Sequence, residues 1–349
     1  MDVQRVAGDF RRQAAACERL GSPFYRVLLE HAAADLEAGD AVAAVLGEHA
    51  ERPEADAVAL RLAGTVHRLA LAGQAPRVAA HFPSCGGDGD ADAAWAAVLD
   101  LLIEHADLVR PGLESAPQTN EVGRAAGLLG ALLTALAEHP LPVRLWEIGA
   151  SGGLNLRADR FAYRSADGGR WGPESPVLLD PAWDRVPAGA PPRVEVLERV
   201  GGDLAPVEAT TPEGELRLTS YVWPDQDARL ARLRAAVAVA REHPARLVRR
   251  GAAALVGGLD LADGTLTVLW HSVMWQYLPA AEQAAVTAEL ARLGAAAGPR
   301  RPFAHIGFEP RPDAGQGSPG FAVTLRLWPG GAERVLGTGA PHGVPVTWD

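Results

Sequence analysis

The chain has no lysine; all 33 of its lysine-plus-arginine positions are arginine. Schiff-base chemistry and the P-loop both need a primary amine, so both are excluded. Cysteine is nearly absent too, with only Cys17 and Cys85. Neither has a Cys or His partner at metal-ligand spacing, so no metal site is expected and the two read as reduced, buried thiols. Long apolar runs are missing. The longest apolar helix candidate, residues 125–137, is short and interrupted by glycine, which excludes a bilayer span there. The opening "MDVQRVAGDFRRQAAACERLG" holds no apolar signal-peptide core. Positive charge is in deficit: at a net −10 the chain is a poor nonspecific partner for nucleic acid or an anionic membrane. These absences lead to the expectation of a soluble, cytoplasmic protein with a small-molecule partner.

What is present is ordinary for a globular chain. The 349 residues are 48% hydrophobic and 22% charged, enough to bury a core without disulfides or metal. Residues 1–116 read as an all-helical N-terminal domain. "SPFYRVLLEHAAADLEAG" has a Ser-Pro start and a glycine stop, and "EADAVALRLAGTVHRLALAGQ" spaces Val58, Leu62, Val66 and Leu69 on one helical face. "DAAWAAVLDLLIEHADLVRPG" reads as one further helix, and "SCGGDGDAD" as a polar glycine loop.

From residue 117 the texture changes. After one more helix, which His139-Pro140 stops, strands and helices alternate: "VRLWEIGA" strand, "GGLNLRADRF" helix, "RVEVLERVGGD" strand, "DARLARLRAAVAVAREH" helix, "TLTVLWHSV" strand, "AAEQAAVTAELARLGAAAG" helix, "FAHIGFEP" strand. Residues 161–180 read as a hairpin excursion, and the chain closes on a hairpin across Pro329-Gly330-Gly331. The expectation for 117–349 is an α/β domain: a mostly parallel sheet, helices on both faces, and a C-terminal antiparallel hairpin.

The chemistry turns on "LWEIGASGGLNL", residues 145–156. Gly149-Ala150-Ser151-Gly152-Gly153 has the Gly-x-Ser-x-Gly form of a nucleophile elbow, with Asp260 or Asp263 and His305 or His342 as triad partners in chain order. Against it, the preceding 140 residues are helical and offer no oxyanion loop. The second reading is a cofactor loop. Small residues at alternate positions let backbone turn tightly and approach a ligand, and a following helix aims its first amides there. The dinucleotide fingerprint Gly-x-Gly-x-x-Gly is not met, because Ser151 and Leu154 occupy its second and third glycine positions.

"EIGASGGLNL" resembles the first motif of class I S-adenosylmethionine-dependent methyltransferases, an acidic-x-Gly-x-Gly-x-Gly loop with Ser151 in place of one glycine. "VGGDLAP" (200–206) is similar to the end of their second strand, "TVLWHSVMWQYLP" (267–279) to their fourth strand, and the last hairpin to their strand six–seven pair. Over nearly the full length the chain also resembles a bacterial family of uncharacterised proteins, domain of unknown function 2332. Its blocks are matched by "GSPFY", "PQTNEVGR", "EIGASGGLNL", "GGDLAP", "SYVWPDQ", "HSVMWQYLP" and "WPGG". The methyltransferase resemblance implies a Rossmann-like fold over 117–349 and S-adenosylmethionine as cofactor. It implies cofactor contacts from Glu147, Gly149, Ser151, Gly153, Asn155 and His271, and a ribose contact from Asp203. The surplus length between Gly153 and Asp203 falls to the hairpin excursion.

Substrate contacts are expected from Asn120, Glu121 and Arg124 ahead of the first strand, from Trp223, Asp225 and Gln226 in the aromatic turn "SYVWPDQ", and from Trp275 and Tyr277. His271, at a strand's carboxyl end, and Asp225 are the candidate catalytic residues. Glu309 is a further strand-end acid. A non-catalytic binder on the same fold and a serine hydrolase remain alternatives.

Overall fold

The computed structural model describes residues 2–52, 57–311 and 320–349. It divides into two compact units: residues up to Thr119 with Pro212–Ala231, and Asn120–Thr211 with Arg232–Asp349. The return of 212–231 to the helical unit was not anticipated.

The α-helices are α1 (Val3–Arg19), α2 (Pro23–Ala38), α3 (Ala41–Leu46), α4 (Val58–Leu71), α5 (Pro76–Ala79), α6 (Ala91–Glu104), α7 (Ala106–Leu113), α8 (Ala125–Glu138), α9 (Pro212–Thr219), α10 (Asp227–Glu242), α11 (Ala252–Gly257) and α12 (Ala280–Ala296). Local chemistry sets the starts in the helical unit. Asp2 accepts from Arg5 N, Ser22 from Tyr25 N with Pro23 in the first turn, and Asp90 from Asp92 N and Ala93 N; each such cap contributes about 1 kcal/mol. The apolar faces meet in one core that includes Phe10, Tyr25, Leu36, Leu46 and Phe82. Leu62, Val66 and Leu69 are buried there, as their spacing predicts. The single helix expected over 92–112 is broken at His105, the C-cap of α6 and the N-cap of α7.

The second unit is built on one eleven-stranded sheet of order β3-β2-β4-β11-β10-β9-β8-β7-β1-β5-β6. Its strands are β1 (Val143–Ile148), β2 (Ala162–Ser165), β3 (Arg170–Trp171), β4 (Leu178–Trp183), β5 (Val196–Asp203), β6 (Arg246–Arg249), β7 (Leu266–Ser272), β8 (Phe303–Arg311), β9 (Gly320–Trp328), β10 (Glu333–Gly339) and β11 (Val346–Trp348). β6, β5, β1, β7 and β8 are mutually parallel. From β8 through β11 the strands run antiparallel, and the β9–β10 hairpin is the one expected. The excursion after residue 161 lengthens this same sheet, because β2 pairs with β4 and β4 with β11.

Alternation along β8 puts Phe303, His305, Gly307 and Glu309 on one face and Ala304, Ile306 and Phe308 on the other. α8 covers the Phe308 face, with Gly127 against Phe308 and Val323. α11 and α12 cover the opposite face, where Leu255, Val286 and Leu290 pack with Trp146, Leu269 and Phe303. Covered on both sides, β7 is apolar and buried through Trp270. The order of the parallel strands reverses between β1 and β7. In open α/β sheets the crevice beyond the carboxyl ends at such a reversal is where ligands bind.

Candidate functional site

β1 delivers Glu147 to that crevice and ends in the turn Gly149–Gly153. Three of its residues have left-handed backbone: Gly149 (φ +67), Ser151 (φ +52) and Gly153 (φ +62). Serine is disfavoured there by about 1–2 kcal/mol, so something must hold it. Asp203, at the end of β5, does so: Ser151 N donates to its Oδ2 at 2.9 Å, while Ala205 N donates to Oδ1 at 2.8 Å. The acid expected on a ribose is therefore brought to the loop, bracing it and its own turn. Each carboxylate oxygen has accepting capacity left. Arg157 supports the loop from its far end, donating from Nη1 to Gly153 O at 2.6 Å and from Nε to His243 O at 2.8 Å. Burial, then the charge of Arg199, pushes Arg157 down to about 10.

Glu147 is only 2% exposed. Its Oε1 accepts from Trp270 Nε1 at 3.0 Å. Burial pushes its carboxyl up to about 8, against the Trp270 hydrogen bond and the charges of Arg157 and Arg124, and with the charge of Asp203. Among the described residues, Glu147 Oε2, Ser151 Oγ and Asn155 Oδ1 are buried with no hydrogen-bond partner. Asn155 is held by its amide instead, which donates to Glu121 O at 3.2 Å. A buried oxygen without a donor is costly, and here three occur in the 147–155 stretch.

The residues ahead of β1 also reach this loop, as scaffolding. Asn120 Oδ1 accepts from Leu154 N at 2.9 Å, Glu121 Oε1 from Gly123 N at 3.0 Å, and Arg124 Nε donates to Pro341 O at 3.1 Å. The expected helix after the loop is a 3-10 turn, Leu154–Arg160, kinked at Arg157. Its first amides are spent on Asn120 (Leu154 N) and on Gly153 O (Leu156 N, 3.1 Å). Two of the amides anticipated to face a ligand are therefore taken by the protein itself. The glycines correct a second expectation. A Cβ at Gly149 would lie 3.0 Å from Met274 Cβ and Cγ, and one at Gly153 2.7 Å from Leu247 Cδ2. On those sides the missing side chains make room for the protein itself.

His271 is not on the Glu147 side. Glu147 pairs with Trp270 in the β1–β7 register, so Trp270 shares its face and the next residue points to the other. There His271 Nδ1 lies 2.7 Å from Glu309 Oε1 and Nε2 lies 3.0 Å from His305 Nε2. Both ring nitrogens are engaged, which leaves the expected base no free position for a substrate proton. Trp275 stacks on the imidazole at 5.4 Å, and Tyr277 is 54% exposed.

Trp223, Asp225 and Gln226 belong to the helical unit. Asp225 accepts from Ser22 Oγ at 2.6 Å and Phe24 N at 3.0 Å, so both its oxygens anchor the start of α2. Gln226 Nε2 donates to Leu20 O at 2.8 Å, and Trp223 is part of the helical core beside Tyr25 and under Arg229. The carboxylate expected in catalysis is thus occupied as a helix anchor, and the aromatic turn is packing. A triad on Ser151 is not assembled either. Asp260 and Asp263 precede β7 at the amino edge of the sheet, and Asp263 pairs with exposed Arg300.

Arg157 was not singled out by sequence, and nothing local distinguishes it from other arginines. The His305–Glu309 relation was readable, since both lie at alternate positions of "HIGFE" and share a face.

Among the described residues, no group of three His, Cys, Asp or Glu side chains could hold a metal ion, and no helix is long and apolar enough to cross a membrane. No curated protein and no solved structure matches the chain. The sequence model of an uncharacterised protein conserved in bacteria, domain of unknown function 2332, matches residues 7–348, and the chain belongs to that family.

Proposed function

We propose that this chain binds S-adenosylmethionine at the carboxyl edge of β1 and β5 and methylates a small-molecule acceptor. The observation that carries the reading is the braced, left-handed 149–153 loop at the β1/β7 reversal, with unpaired buried oxygens on Glu147, Ser151 and Asn155. The donor set fits the group. An ammonium suits the Glu147 carboxylate and the Asn155 carbonyl, and ribose hydroxyls suit the spare acceptor capacity of Asp203. When bound, the group supplies a methyl already activated on a sulfonium.

The chain's own residues then orient and exclude water. Asp203 and Arg157 hold the loop in place. Glu147, neutral when buried alone, ionises against a cation and releases its proton. Neither His271 nor Asp225 serves as base: both His271 ring nitrogens are engaged, and Asp225 anchors the start of α2. That engagement favours a second reading, a binder that does not transfer.

Calorimetry with S-adenosylmethionine and S-adenosylhomocysteine tests the first claim. Micromolar binding of both, weakened at least tenfold by Asp203→Ala, is expected; silence from folded protein overturns it. Binding without methylated product in any acceptor screen selects the second reading.

A further inference from the structure

On the face of the sheet opposite Glu147, buried His271 and half-buried His305 and Glu309 are tied together without serving the 149–153 loop directly. Glu309 Oε1 accepts from three donors: His271 Nδ1 at 2.7 Å, Met274 N at 3.1 Å and Trp275 N at 3.2 Å. Nδ1 of His271 therefore carries a proton. Across the 3.0 Å gap one of the two Nε2 atoms donates to the other. The absence of a side chain at Gly307 admits this arrangement, since a Cβ there would lie 3.3 Å from His271 Cε1. Burial, then the charges of His271 and Arg326, holds His305 well below its ordinary value.

The turn these groups hold is strained. Val273, between β7 and Met274, sits at φ +51. A β-branched residue in the left-handed region is an outlier that persists only where its surroundings enforce it. Beyond it, Met274 lies against Gly149, at the centre of the β1/β7 reversal.

We propose that Glu309, aligned by the His271–His305 pair, is a latch that fixes the strained 273–275 turn and seats Met274 over the main chain of Gly149. Glu309, His271 and His305 are then positioning residues. A ligand reaching the main chain at Gly149 enters by displacing Met274; that consequence rests on the cofactor reading, whereas the latch does not.

The chain contains two methionines, Met1 and Met274. Full-length protein labelled with [methyl-13C]methionine gives two methyl signals, and Met274→Leu identifies the second. Glu309→Gln keeps an oxygen that accepts all three N–H groups and is expected to leave the Met274 signal in place. Glu309→Ala is expected to move it toward the signal of an exposed methionine. If Glu309→Ala does not fold, the shorter Glu309→Asp decides in the same way. A Met274 signal unchanged in a folded Glu309→Ala or Glu309→Asp protein, or moved equally by Glu309→Gln, overturns the latch.

S-adenosylhomocysteine is then added. It is expected to shift the wild-type Met274 signal and to bind Met274→Ala about 3- to 10-fold more tightly, because no displacement is needed. Binding by calorimetry with an unmoved Met274 signal overturns the entry route. Silence with every variant is a failure of the cofactor reading, and the ligand-free spectra alone then decide the latch.

Discussion

His67 in the helical unit and Glu147 in the sheet unit are both buried titratable groups, and the fold treats them in opposite ways. His67 is saturated: Nδ1 contacts Ser220 O at 3.1 Å and Nε2 contacts Ser84 Oγ at 2.7 Å. Asp225 and Gln226 in the same unit are likewise taken up by Ser22, Phe24 and Leu20. Glu147 has one oxygen on Trp270, and the other is among the unpaired buried atoms of the described residues. A saturated group stabilises one packing. A half-satisfied one holds its cost in reserve for whatever supplies the missing donor.

Breaking the Glu147 side should give the largest effect. Its carboxyl rises from 4.5 to about 8 on folding. A raised carboxyl favours the neutral form in the native state. Its contribution is therefore fully present below pH 4.5 and is lost as pH rises through about 8. The span corresponds to a loss on the order of 4–5 kcal/mol. Glu147→Gln should abolish that slope, so that chemical denaturation from pH 5 to 9 shows the variant overtaking wild type as pH rises. Parallel curves would mean that Glu147 already has a partner and the contrast with His67 fails.

The His67 side is expected to move in the other direction, by about 3 kcal/mol. Burial pushes this imidazole down from 6.5 to about 4, against the Ser220 hydrogen bond. Its contribution is present above pH 6.5 and is lost as pH falls through about 4. Helical-unit amides should lose hydrogen-exchange protection first on acidification, before those of β1 and β7. Simultaneous loss in both units would erase the distinction.

Asp225→Ala comes next. It strips two acceptors from the start of α2 and should cost about 1–3 kcal/mol with no change in cofactor affinity, measured by denaturation and calorimetry together. An affinity loss with full stability would restore the substrate role read from sequence.

The two units also differ in how much of them was legible. The succession of most strands and helices along the chain and the 149–153 turn could be read because each rests on local pattern: apolar runs, glycine spacing, and a strand-end acid at 203. Asp225 and Trp223 misled because their partners come from α2 and its approach, about two hundred positions away, and no local pattern reports such a contact. His271 misled for a smaller reason. Its position at a strand end was right, but only the β1–β7 register decides that it and Glu147 face opposite sides. The helix expected from "GGLNLRADRF" is a kinked 3-10 turn, in which Arg157 Nη1 also takes up Gly153 O.

Ser151 gives the smallest and most discriminating test. Its φ of +52 suits glycine better than serine, so Ser151→Gly should stabilise the protein by about 1 kcal/mol if nothing else depends on the side chain. Its Oγ is buried and, among the described residues, unpaired, so within the protein the hydroxyl contributes nothing to offset the backbone cost. On the cofactor reading, a ligand completes that hydroxyl. Ser151→Gly should then raise the melting temperature while weakening S-adenosylhomocysteine a few-fold in calorimetry. Gain in stability with unchanged affinity would make Ser151 a plain turn residue. It would also leave Glu147 and Asn155 as the only members of the 147–155 stretch still awaiting a donor.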